Sequence, residues 1–179
     1  MPPRVTSPDP IGDPQGYQRH LLSLLGDDDP AEVQAVAAGV WSDLIDEAGP
    51  LADRRPEPRE WSVIGCLAHA LDAEIVMSAR YRWILAHDEP PLIGYDQDLW
   101  ADRLHGGSDD PGEILAVLRP LRGSNVALWR RSTPEQRARA GLHAERGPET
   151  FDLCFRMIAG HDRFHQAQAR RALDALRDV

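Results

Sequence analysis

His161 and His165 stand four residues apart in a stretch whose apolar residues, Phe151, Cys154, Phe155, Ile158, Ala169, Ala172 and Leu176, keep to one helical phase. That spacing is one face of an α-helix. The two imidazoles continue the face where Leu or Ile would be expected. Side chains four apart on a helix have Cβ atoms roughly 6 Å apart, so two rings can close on one metal ion. A polar group at a core position needs a partner, which is either a metal or a buried hydrogen-bond network. A third histidine, His69, lies in an earlier segment that is apolar nearly all round. A third ligand would have to come from such a neighbouring helix.

Other catalytic templates are missing from the sequence. It contains no G-x-S-x-G elbow, P-loop or G-x-G-x-x-G. Cys66 and Cys154 stand singly in apolar helical stretches, and packing in a reducing compartment accounts for both. His20, His87, His105 and His143 read as surface or loop residues, with His143 the nearest of them to any pocket.

The elements that must position the histidines are helical. A short helix is expected over Tyr17–Leu25. Asp29-Pro30-Ala31-Glu32 and Asp110-Pro111-Gly112-Glu113 are helix starts, with an N-cap, a proline in the first turn and then an acid. The first carries Val33, Val36, Val40, Leu44 and Ala48. The second carries Ile114, Leu115, Leu118, Leu121 and Leu128, with Pro120 expected to kink it or shift its start. Between them a deep helix runs from Trp61-Ser62 to about Ala86, with Ile64, Leu67, Ala68, Leu71, Ile75 and Ala79 on one face. The connection Asp88–Asp110 is long and polar, with a short helix near Asp98–Leu104. Thr133-Pro134-Glu135 caps a helical turn, and a loop through His143 and Gly147 leads to the last helix, Glu149–Ala175. No strand-like alternation is visible. The expected fold is all-α: a four-helix bundle over residues 30–177, preceded over 1–29 by an arm that carries the short helix.

The chain has 179 residues, long enough for a core without staples, and its 20 basic against 29 acidic residues give a net charge of −9. Every basic residue is arginine. An acidic surface of this kind argues against nucleic acid or anionic membrane as a partner. There is no apolar stretch of signal-peptide or membrane-span length, so the expected location is cytoplasmic. Met77, Trp83 and Ile84 add more apolar surface than a monomeric bundle requires, which points to a homodimer.

Two segments carry a resemblance. Trp61-Ser62, then His69, then Glu74 is similar to a W-S/T-x6-H-x4-E helix, and His161-Asp162-x2-His165-x2-Gln168 to a terminal H-D-x2-H-x2-Q helix. Both are signatures of the DinB/YfiT-like metalloenzyme family. The resemblance covers about residues 30–177. It implies a four-helix bundle in which His69, His161 and His165 bind a divalent metal: zinc, nickel, iron or manganese. Gly65, where a glutamate is common, and Pro120 depart from the pattern.

Three histidines would leave one coordination position open, as in catalytic sites, whereas structural zinc is usually closed by four ligands. Neutral ligands leave the ion its full charge, which lowers the pKa of a bound water or thiol. Asp72, Glu74, Asp162 and Gln168 are candidates to orient the rings, although Glu74 and Asp162 could equally be solvated. Tyr95, Asp96 and Asp98 read as turn residues. The expected function is a metal-dependent enzyme acting on a small molecule. Some relatives are S-transferases or isomerases that use a low-molecular-weight thiol, so such a thiol is one expected co-substrate. The alternative is a non-catalytic metal-binding or dimerising bundle. Metal affinity is expected to fall as pH drops through about 6.

Overall fold

The architecture is that of a computed structural model, which describes residues 12–105, 107 and 109–178. In chain order the helices are α1 (Pro14–Leu25), α2 (Pro30–Ala48), α3 (Val63–Ala86), α4 (Gln97–Leu104), α5 (Pro111–Arg131), α6 (Pro134–Ala138) and α7 (Phe151–Arg177). The four long ones form the bundle. α7 packs against α2 and α3, α5 closes the other side against the same pair, and α1 lies along α7. The fold is all-α, a four-helix bundle with short extra helices. Most of the expected arm, residues 1–11, lies outside the described residues. α1 begins three residues before Tyr17, because the Asp13 carboxylate caps the Gly16 N–H at 2.9 Å.

The long helices start where the caps place them. Asp29 accepts from Ala31 N at 2.7 Å, Asp110 from Gly112 N at 2.7 Å, Ser62 from Gly65 N at 3.0 Å and Thr150 from Leu153 N at 3.0 Å. Each such cap stabilises its helix by about 1 kcal/mol. α5 runs unbroken through Pro120 from its Asp-Pro start. Pro120 and Ala116 are exposed, so water can satisfy the carbonyl that loses its donor.

Two of the inward faces are rotated from those expected. In α2 the buried set beyond Pro30 and Ala31 is Gln34, Ala37, Ala38, Trp41, Leu44 and Ala48, while Val36 and Val40 are 61% and 38% exposed. The large Trp41 side chain takes the core position, and Gln34 follows it inward by donating to the Phe155 carbonyl at 2.8 Å. In α3 the line Cys66, Ala70, Ala73, Met77, Tyr81 and Ile84 is buried together with Leu67 and Ala68, and Ile75 faces out. Met77 and Ile84 are therefore core residues, and they do not supply the outer apolar patch expected of them.

A small sheet departs from the all-helical reading of the loops. β1 (Pro91–Leu92) runs parallel to β2 (Ala140–His143), which pairs antiparallel with β3 (Gly147–Thr150), so that Gly141 faces Glu149 and His143 faces Gly147. Gly147 turns the hairpin at φ 76°, in the left-handed region. Strands of two to four residues are too short for alternation to be read from sequence.

Two apolar clusters fill the bundle. One centres on Trp41, Leu67, Leu118 and Leu173; the other on Tyr81, Trp129, Phe151 and Phe155. Along α7 the second cluster ends at Ile158 and the first resumes at Ala169. His161, Asp162 and His165 fall in that gap. A polar layer thus crosses the middle of the bundle.

Candidate metal centre

α3 delivers His69 and α7 delivers His161 and His165 into the gap between the apolar clusters. All three are buried, at 2%, 7% and 3% exposure. One ligand atom from each lies within 4.8 Å of the others. The Nε2 atoms of His69 and His161 are 3.0 Å apart. Ring centroids are separated by 4.9 Å for His69–His161, 4.5 Å for His69–His165 and 4.3 Å for His161–His165. The i,i+4 spacing on α7 accounts for the last pair, and the close packing of α3 on α7 accounts for the other two.

The donors suit a divalent ion. Burial, chiefly, holds all three histidines well below the ordinary 6.5, and neighbouring rings add to the effect. The rings are therefore neutral near pH 7, with lone pairs available. The Gln168 side-chain oxygen lies 2.9 Å from His165 Nδ1. Donation from that Nδ1–H fixes the tautomer and leaves His165 Nε2 as the free ligand atom. His161 Nδ1 is buried with no hydrogen-bond partner among the described residues. A metal satisfies three converging lone pairs in a way that one hydrogen bond between His69 and His161 cannot. Trp61 covers the rings, its centroid 4.8 Å from that of His69 and 5.7 Å from that of His165.

The remaining expected residues separate into different roles. Asp162 and Glu74 are 1% and 0% exposed, and neither is a solvated surface charge. Both pair with Arg122 from α5. Its Nη1 donates to Asp162, and its Nε lies 2.8 Å from a Glu74 oxygen. Asn125 donates to Glu74 at 2.6 Å. Asp72 is held by His105, which also lies 3.1 Å from Asp109. His105 is thus part of a polar link between α3 and the loop after α4, and is more than the surface residue it resembled. Cys66 and Cys154 are buried, and burial pushes both thiols up to about 12, as packing residues would be.

A cavity of about 530 Å³ opens beside the histidines, with His161 on its lining. Leu21, Ala73, Val76, Met77, Met157 and Ile158 form its apolar walls. Tyr17, Arg80, Tyr95, His143 and Arg146 add polar groups. His143 does approach the pocket, carried there by β2. Tyr95, Asp96 and Asp98 also line it, so this stretch is more than a turn. A larger open groove of about 910 Å³ between α2 and α5 touches none of the three histidines. Arg80 and Arg122 had no role assigned from sequence, and Trp61 entered only as the first residue of the W-S/T-x6-H-x4-E resemblance. The signal for Arg122 was its phase: it follows Leu118 by four residues on a buried face, as His161 follows Met157.

A family model described as the DinB superfamily matches residues 17–169. In sequence, the chain is 28% identical over 93 residues to "Putative metal-dependent hydrolase YfiT" of Bacillus subtilis (strain 168). That match takes in 52% of this chain and 50% of the relative, so the chain spans about half the length of the curated protein it matches. The solved structure of YfiT superposes with a TM-score of 0.75 at 18% identity, covering 98% of this chain and 93% of that one. It is described as a probable metal-dependent hydrolase with an unusual four-helix bundle topology. At that identity the likeness speaks to the fold alone.

Proposed function

This chain belongs to the DinB superfamily, and from that premise we propose that it is a metal-dependent enzyme acting on a small molecule held in the cavity beside His161. The convergence of His69, His161 and His165 at the edge of that cavity carries the reading. When bound, a divalent ion (zinc, nickel, iron or manganese) would supply Lewis acidity and a nucleophile of lowered pKa.

The chain's own residues do the rest. The three buried imidazoles would offer an ion neutral donors, with no carboxylate among them to offset its charge. Gln168 fixes the tautomer of His165. Trp61 shields the rings. The walls formed by Met77, Met157 and Ile158 exclude bulk water from an apolar part of the substrate. Hydrolysis is the reaction favoured by the name of the relative. A low-molecular-weight thiol in place of water would make the protein an S-transferase or isomerase on the same site.

The test begins with elemental analysis of the purified protein, then titration of wild type and His165→Ala with zinc, nickel, iron and manganese. One equivalent bound by wild type, with affinity lowered at least tenfold in the variant, is expected. The loaded protein is then offered ester and amide panels with and without added thiol. Turnover without thiol marks a hydrolase, and turnover only with thiol marks a transferase or isomerase. Equal metal binding by His165→Ala would overturn the reading.

A further inference from the structure

The cavity extends along α3 well away from the histidines. Arg80 lies eleven residues after His69, about 16 Å along the helix axis, and still lines the same space. Arg80 is 3% exposed. Its Nη2 donates to the Ile93 carbonyl at 2.6 Å, and its Nη1 is 3.8 Å from Glu149. Its Nε is buried and has no partner among the described residues. His143, also 3% exposed, lines the cavity with Nε2 equally unpartnered; its other ring nitrogen accepts from the Glu145 N–H at 3.2 Å. Leaving two such donors unmet in a buried place is costly. That cost calls for an acceptor that is not part of the chain.

The charges point the same way. Glu149 is fully buried and is not part of the cavity lining. It is held from there by Arg146 through Nε at 2.6 Å and Nη2 at 3.2 Å, with Gln18 donating at 2.8 Å. Two guanidinium groups thus share one carboxylate, and one positive charge is left facing the cavity. The acids on the lining, Asp96, Asp98 and Glu145, are exposed. Asp96 is already engaged, accepting from Asp98 N at 3.1 Å and Leu99 N at 2.9 Å. Burial raises Tyr17 to about 12 and Tyr95 above its ordinary value, so both phenols stay protonated and can donate.

From this arrangement we infer that Arg80, His143 and Arg146 form a subsite for a carboxylate of the substrate. The substrate is then an elongated acid with an apolar middle against Met77, Met157 and Ile158 and its reacting bond toward His161. The inference deepens the proposed function and rests on the cavity being the substrate's place. It assigns the ligand class, a small carboxylic acid.

Hexanoate and hexanamide are suitable probes, because they match in length and differ in charge. Binding is measured by calorimetry on metal-free and zinc-loaded protein. Hexanoate is expected to bind at least tenfold more tightly than hexanamide in both forms. Arg80→Gln should bring hexanoate to the level of the amide and leave zinc affinity unchanged. If that variant does not fold, wild-type nitrogen-15 spectra decide: hexanoate, and not hexanamide, should shift the Arg80 Nε and His143 ring signals. Equal affinities, or shifts confined to arginines of the α2–α5 groove, would overturn the subsite. Selectivity seen only with zinc would place the carboxylate on the ion and overturn it as well. A protein that binds hexanoate selectively but no metal would refute the proposed enzyme and leave the subsite standing.

Discussion

Each histidine in the cluster is defined by what surrounds it, and proton linkage follows from that. Burial holds His69, His161 and His165 well below 6.5 in the fold, and His143 is also lowered, chiefly by burial. Above 6.5 these groups are neutral both folded and unfolded. Below it the unfolded chain binds protons first, so the metal-free protein should lose stability as pH falls from 6.5 toward the depressed folded values. His105 opposes this. Burial disfavours its charge, but Asp109 and Asp72 outweigh burial and hold it above 6.5. Among the histidines one therefore works against four, and the carboxyls of Asp72 and Glu74, both raised chiefly by burial, side with His105. Urea midpoints in chelator at pH 7.5 and 5 should show a clear drop, and a flat profile would mean that the rings are protonated in the fold. If the three rings hold a metal, the same burial should move its release to lower pH than the value near 6 expected from the sequence.

At the scale of elements, the polar layer ties α5 to α3 and α7 through one cation. Arg122→Ala would leave Glu74 and Asp162 buried without it, and breaking such a pair costs about 3–5 kcal/mol. Urea denaturation should register that loss, and a shift under about 1 kcal/mol would show that water or relaxation replaces the guanidinium. α1 is fixed to α7 by close backbone approach. A Cβ on Gly160 would lie 2.0 Å from the Leu21 carbonyl oxygen. Alanine normally favours a helix over glycine by about 1 kcal/mol, but here Gly160→Ala should destabilise by about 1–3 kcal/mol. Hydrogen exchange should quicken first in α1; unchanged protection there would deny the contact.

The helices were legible in the sequence because Asp29, Asp110, Ser62 and the α7 stripe each carry a local signal. So were His161 and His165, since polar residues in a core phase stand out, whereas His69 was marked by a segment apolar nearly all round and by the resemblance of its W-S-x6-H-x4-E spacing. The faces of α2 and α3 were not, because Trp41 and Tyr81 outrank valine and isoleucine only once partners are known. The small sheet and the arginines of the cavity depend on contacts between distant segments, such as Arg80 with Glu149, which no local period encodes.

For the molecule as a whole, a homodimer remains a proposal, and its apolar candidates are now Val36, Val40, Ile75 and Trp83, each more than a third exposed. Sedimentation velocity should give a two-chain mass that Val36→Glu or Trp83→Glu reduces, and a monomer at high concentration would sink the idea. No described helix is long and apolar enough to cross a membrane. The cavity draws Tyr17 and Leu21 from α1, and Met157, Ile158 and His161 from α7. At ribosomal rates α7 is made on the order of ten seconds after α1. Through that interval α1 lacks its main packing partner, and the nascent chain carries at most one of the three candidate ligands. A lone imidazole cannot choose among metals, so any selection among them would wait until α7 closes the bundle.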